Sequence, residues 1–143
     1  MNNWTIFTDG SCRGNGNGGI GVVWLNDGKL IQEYSKGFKN TTNNKMELTA
    51  IKVALYSIKG EINSLKIISD SEYSIGVITK PWNPKKNIEL INSIKSLLQE
   101  KQKLVKSKIE FIHVKGHSKE SNENSMWNNK ADNLATTASN QIL

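Results

Sequence analysis

Cysteine is nearly missing from this 143-residue chain: Cys12 stands alone. That excludes an intrachain disulfide and a zinc site built from thiolates, and it fits a reducing, cytoplasmic compartment. No run of about 18 apolar residues occurs, which excludes a membrane-spanning helix and makes a membrane partner unexpected. The start Met1-Asn2-Asn3-Trp4 lacks a basic segment followed by an apolar one, so no secretory signal is expected. Both prolines, Pro81 and Pro84, fall in one short stretch and mark a single break. Arg13 is the only arginine, and aspartate occurs only at 9, 27, 70 and 132. The length suits one compact domain over residues 1–143, expected to act as a monomer.

What is present begins with charge. Nineteen Lys and Arg face 13 Asp and Glu, a formal net charge of +6. A basic domain of this size is suited to a polyanion, because each neutralised phosphate releases counterions. Excess lysine also serves solubility, and composition leaves both readings open.

Hydrophobic periodicity predicts the elements. Residues 4–8 (Trp-Thr-Ile-Phe-Thr) read as a strand ending at Asp9. A glycine-dense loop over 10–19 follows, then a strand over 20–25. The turn signal Asn26-Asp27-Gly28-Lys29 folds a third strand, 30–38, back on the second. From Lys45 the period becomes helical through Met46, Ala50, Val53, Ala54 and Ile58, stopping at Gly60. A strand over 64–69 ends before Asp70, and a short helix over 71–79 is capped by Ser71. Ile88, Ile91, Ile94, Leu97 and Leu98 mark another helix. A strand over 108–114, a polar loop over 115–126 and a final helix over 128–140 complete the chain. Trp127, just before that helix, is placed to staple its first turns. The order βββαβααβα predicts an α/β fold: a mixed five-stranded sheet flanked by helices.

Asp9 and Asp70 each follow an apolar strand, where ligand sites of open α/β sheets gather. Glu47 reads as the first turn of one helix and Asp132 as the start of another, positions that the helix dipole alone also favours. Were the four to converge, they would raise one another's pKa values, and hard cations would make the cluster tolerable. An all-oxygen ligand set suits Mg²⁺ or Mn²⁺. Two such ions roughly 4 Å apart can clamp the attacking and leaving oxygens of a phosphodiester.

Five segments carry a family resemblance. Thr8-Asp9-Gly10-Ser11-Cys12 with Gly14-Asn15-Gly16, then Thr42-Asn43-Asn44-Lys45-Met46-Glu47-Leu48, then Ser69-Asp70-Ser71-Glu72-Tyr73, then Val114-Lys115-Gly116-His117, and finally Asn128-Asn129-Lys130-Ala131-Asp132-Asn133-Leu134-Ala135 resemble, in order, the motifs of type 1 ribonuclease H. The resemblance implies the ribonuclease H fold and an endonuclease that hydrolyses the RNA strand of RNA/DNA hybrids, leaving 5′-phosphate and 3′-hydroxyl ends. It implies Asp9, Glu47, Asp70 and Asp132 as catalytic, metal-binding carboxylates, holding two Mg²⁺ or Mn²⁺ ions when substrate is bound. His117 takes an assisting catalytic role, shuttling protons or helping products leave, while His113 reads as a structural strand residue.

The resemblance also implies where nucleic acid would lie. Asn15, Asn43 and Asn44 stand at positions of minor-groove amides, with Gly10 and Cys12 offering backbone contacts beside them. Thr42 and Asn87 resemble residues that hold a DNA phosphate. Trp82, next to Lys85 and Lys86, is placed to stack on a sugar or to anchor its own loop. No counterpart of the basic helical handle or of the N-terminal hybrid-binding module seen in some members is expected here. Other basic surface is therefore expected to serve, from Lys95, Lys101, Lys103 and Lys106. Glu72 stands where an uncharged amide is common. Two rival readings share these residues: a non-catalytic hybrid-binding module, and a DNA nuclease or strand-transfer enzyme on the same fold.

Overall fold

The computed structural model describes residues 2–116 and 122–142. Three strands come first: β1 (Asn3–Cys12), β2 (Gly18–Asn26) and β3 (Lys29–Phe38). Helix α1 (Asn43–Tyr56), strand β4 (Ser64–Ser69), helices α2 (Glu72–Thr79) and α3 (Ile88–Gln102), strand β5 (Glu110–His113) and helix α4 (Glu123–Asn140) follow. The order is the predicted one, and the five strands form one mixed sheet, β3-β2-β1-β4-β5. The hairpin pairs are antiparallel, whereas β1–β4 and β4–β5, each reached by a helical crossover, are parallel.

Alternation along the strands builds two cores. Ile6, Ile20, Val22 and Trp24 pack toward the face covered by α1 and α3, while Phe7, Val23, Leu25 and Ile68 meet Ala131 of α4 on the other. The central strands are therefore buried on both sides, which is why their sequences run almost continuously apolar. Gly19 and Gly21 lie directly beneath the carbonyls of Ala135 and Ala131. A Cβ at either would collide with that backbone, so these glycines set how closely α4 sits on β2. Among the described residues no helix is long and apolar enough to cross a membrane.

Several boundaries differ from the sequence reading, each for an identifiable reason. β1 does not stop at Asp9, because Gly10, Ser11 and Cys12 continue to pair with Ile20, Gly19 and Gly18; much of the expected glycine loop is sheet. α1 starts at Asn43 because the Thr42 side chain accepts the Lys45 N–H, and it ends at Tyr56, short of Gly60. There the Ser57 hydroxyl bonds back to the Ala54 carbonyl and receives the Trp24 indole N–H. β5 is shorter than expected. α4 starts at Glu123, capped by the Asn122 side chain. Trp127 thus lies inside α4 and packs on the Phe7 cluster; it is not a staple ahead of the first turn. Lys101 is buried, not surface: its ammonium donates to the Ile58 carbonyl at 2.6 Å, just beyond the end of α1.

Candidate active site

The sheet's topology brings the acids together. β1 and β4 run parallel and their pairing ends at Thr8 opposite Ser69. The next residue on each strand is an aspartate, so Asp9 and Asp70 emerge side by side where the two strands part. β1 continues against β2 alone, which opens the sheet at that point. The Thr8 hydroxyl donates to the Ile68 carbonyl at 3.3 Å in the buried sheet, and the Ser71 N–H donates to Ser69 Oγ at 3.0 Å. These contacts fix the backbone on either side of the pair.

Glu47 arrives from α1. Its Oε1 accepts the Gly10 N–H at 2.6 Å. A Cβ on Gly10 would overlap the backbone at Met46 and Glu47, so glycine there is what lets α1 come close enough to deliver the carboxylate. Because α1 begins at Asn43, Glu47 lies beyond the first turn, which holds no acid. Asp132 is likewise deep within α4. The dipole explanation for both residues therefore fails, since that effect fades past the first turn.

Carboxylate oxygens of Asp9, Glu47 and Asp70 lie within 4.8 Å of one another. Asp132 lines the same cleft of about 600 Å³ and hydrogen-bonds the Asp9 carboxyl. Among the described residues the remaining walls are Gly10, Ser11, Asn43, Gly116, Asn133 and Thr136, with no lysine or arginine. Asp9 and Glu47 are only 3% and 6% exposed. Burial, followed by the charges of Glu47 and Asp70, pushes the Asp9 carboxyl far above the usual range. Burial and then the Asp70 charge do the same to Glu47, although the Gly10 N–H opposes it. All-oxygen donors, crowded, desolvated and without a neutralising side chain among the described residues, are a ligand set for a hard divalent cation. The residues present fit Mg²⁺ or Mn²⁺.

The structure brings two of the predicted nucleic-acid contacts, Gly10 and Asn43, to this centre. Asn43 lines the cleft, and Asn44 is exposed beside it on the first turn of α1. Thr42 caps α1 through a lone pair of its hydroxyl, which leaves the O–H proton to donate elsewhere. The Cys12 thiol is 3.4 Å from the Thr41 carbonyl, and the Asn15 side chain folds its own turn by accepting the Asn17 N–H. The Gly10 N–H is committed to Glu47, so any ligand contact there uses its carbonyl or Cα. Asn87 precedes α3 in a left-handed conformation (φ 61°) and its amide makes no capping bond. Trp82 lies over Gly76 of α2 yet stays 42% exposed, with Lys80 Nζ 5.3 Å from its ring. Glu72 opens α2 and does not line the cleft. His117 lies outside the described residues.

Sequence reasoning passed over four participants. Ser11, Asn133 and Thr136 line the cleft, and Thr136 follows Asp132 at the four-residue spacing that shares its helix face. A Cβ on Gly116 would stand 2.7 Å from Asp70 Oδ2, so that glycine clears room for the carboxylate. His113, read as a structural strand residue, ends β5 with its Nε2 3.2 Å from the Asp70 carbonyl oxygen.

A mixed sheet of this order, with acids where its two central strands diverge and on the helices beside them, defines the ribonuclease H-like class of nucleases. Comparison with known proteins narrows that class. The family model for RNase H matches residues 1–140. Ribonuclease H of Clostridium botulinum (strain Hall) is 39% identical over 155 aligned positions, covering 96% of this chain and 95% of that protein. Ribonuclease H of Trichodesmium erythraeum is 38% identical, with 96% and 89% covered. Among solved structures, LC11-RNase H1, isolated from compost by a metagenomic approach, superposes with a TM-score of 0.79 at 27% identity, covering 99% of this chain and 98% of that one. The same enzyme in complex with an RNA/DNA hybrid gives 0.76 at 25% identity, with 96% and 97% covered. This chain belongs to the RNase H family, a family of metal-dependent enzymes, and is a nuclease of that family.

Proposed function

We propose that the protein is an endonuclease that hydrolyses the RNA strand of RNA/DNA hybrids, with two Mg²⁺ or Mn²⁺ ions, giving 5′-phosphate and 3′-hydroxyl ends. The observation that carries this reading is the convergence of Asp9, Glu47 and Asp70 within 4.8 Å, in a cleft that no lysine or arginine lines among the described residues. The family match and the hybrid bound by a structural neighbour of similar fold support the substrate. All four acids come from one chain, so a monomer suffices.

Asp9, Glu47, Asp70 and Asp132 would hold the ions. When bound, such ions neutralise the charge of the phosphodiester and supply a nucleophile at neutral pH. The chain's own residues do the rest. Gly10 orients Glu47 through its N–H, while the Ser69–Ser71 turn and His113 hold the Asp70 backbone. Asn15, Asn43 and Asn44 meet 2′-hydroxyls and base edges in the wide minor groove, with Gly10 and Cys12 beside them. Thr42 and Asn87 donate to a phosphate of the DNA strand, and Trp82 supports a neighbouring sugar. Water bonds to phosphorus as the bond to the 3′-oxygen breaks, and that oxygen gains a proton. His117 assists this proton traffic; no covalent enzyme intermediate is required.

One assay tests the reading. Labelled RNA/DNA hybrid, duplex RNA and duplex DNA are incubated with the protein, with and without Mg²⁺. Metal-dependent cutting confined to the RNA of the hybrid is expected. Binding without cutting would assign a recognition module, and cutting of duplex DNA would assign a different nuclease.

A further inference from the structure

Two walls of the carboxylate cleft continue beyond the acids. One is β1, where Ser11 lines the cleft and Arg13 follows two residues on. The other is α4, where Asp132, Asn133 and Thr136 line the cleft and Asn140 lies one turn further along the same face. These walls meet again, because Arg13 Nη1 donates to Asn140 Oδ1 at 2.6 Å across 127 residues of sequence. Arg13 is exposed, and among the described residues its guanidinium bonds no carboxylate. Most of its five N–H donors are thus uncommitted. Neighbouring exposed side chains on α4, namely Asn133, Thr136, Thr137 and Asn140, are all uncharged.

We infer that Arg13 and Asn140 form a phosphate subsite for the strand being cut. The inference rests on the hybrid-cutting activity proposed above. Asp132 and Asn140 are eight residues apart, about 12 Å along the helix, so the subsite lies a few nucleotides from the scissile phosphate. Asn140 accepts from the guanidinium and holds it, leaving its own NH₂ group to donate beside it. Arginine suits the task because its planar fork matches phosphate oxygens. The competing explanation is that Arg13 only neutralises the C-terminal end of α4. That role would move thermal stability and leave substrate binding alone.

The test is steady-state cleavage of an RNA/DNA hybrid in Mg²⁺ at several salt concentrations. Wild-type protein is compared with Arg13→Gln, Arg13→Lys and Asn140→Ala, and with Lys29→Gln as a charge control at the opposite end of β1, across from Asn26. Arg13→Gln is expected to raise KM about three- to tenfold at moderate salt with kcat unchanged, and to lower the slope of log KM against log salt by roughly 0.7–0.9. Arg13→Lys restores the slope and part of the KM, Asn140→Ala raises KM with the slope intact, and Lys29→Gln changes neither. Shortening the hybrid so that the cut strand ends before the subsite should erase the difference between wild type and Arg13→Gln. Unchanged KM and slope in Arg13→Gln, equal effects from Lys29→Gln, or a fall in Tm alone would each overturn the subsite. A wild-type protein that cuts no hybrid brings down the activity and the subsite together, whereas one that cuts and ignores Arg13→Gln brings down the subsite only.

Discussion

Asp9→Asn should stabilise the metal-free protein while destroying its activity. Asp9 is 3% exposed and its oxygens lie within 4.8 Å of those of Glu47 and Asp70. Two unit charges at that separation repel by about 3.5 kcal/mol at an effective dielectric near 20. An amide of the same shape removes that repulsion and most of the desolvation penalty. The folded-state pKa of Asp9 is raised above its unfolded value. Its contribution to stability is therefore fully present below the unfolded pKa, near 4, and is lost as pH rises toward the folded pKa. The loss proceeds at up to about 1.4 kcal/mol per pH unit for one group. Both routes give roughly 3.5–4 kcal/mol in favour of the asparagine variant at neutral pH, or on the order of 10 °C in Tm for a domain of this size. Thermal unfolding in chelator at pH 5 and pH 8 measures it, with the variant's advantage growing with pH. Adding Mg²⁺ at pH 8 should stabilise the wild type strongly and the variant little. A wild-type protein whose stability relative to Asp9→Asn is the same at both pH values, or a variant less stable than wild type in chelator at pH 8, would refute the electrostatic argument.

Gly116→Ala would place a methyl against Asp70 Oδ2. It should lower kcat about tenfold or more by displacing that carboxylate, with Tm changed far less than in a core variant, as single-turnover cleavage and thermal melts would show. Thr42→Ala removes the hydroxyl that accepts the Lys45 N–H and should cost about 1 kcal/mol in urea unfolding. Thr42→Ser should recover most of that stability, together with any hybrid affinity that depends on the hydroxyl. His117→Ala should slow turnover by roughly 10²-fold without abolishing it, the usual loss on removing one general acid or base; complete inactivity in multiple-turnover assays would move His117 from assistant to essential group.

The order of elements was legible in the sequence because the apolar period changes where the elements change. Residues such as Ile6 and Phe7 alternate between two cores, and Met46, Ala50 and Ala54 recur at helical spacing. Ends were less legible. α4 begins five residues before the expected start at 128, because its first turn is polar and is held by the Asn122 cap. β1 runs past Asp9 because pairing with β2 tolerates Gly10, Ser11 and Cys12 as strand residues.

Resemblance of five segments to the motifs of type 1 ribonuclease H grouped Asp9, Glu47, Asp70 and Asp132 as a set, since each motif is local and its residues are contiguous. Their convergence was decided only by tertiary structure: parallel pairing of β1 with β4 sets two aspartates side by side, and the glycine at position 10 admits Glu47 from a helix. Burial of Lys101 and the meeting of Arg13 with Asn140 likewise depend on contacts across long stretches of chain. A sequence records the local preferences of each segment. Distances between segments, and the shared desolvation that shifts a carboxylate's pKa, exist only once the sheet has closed around them.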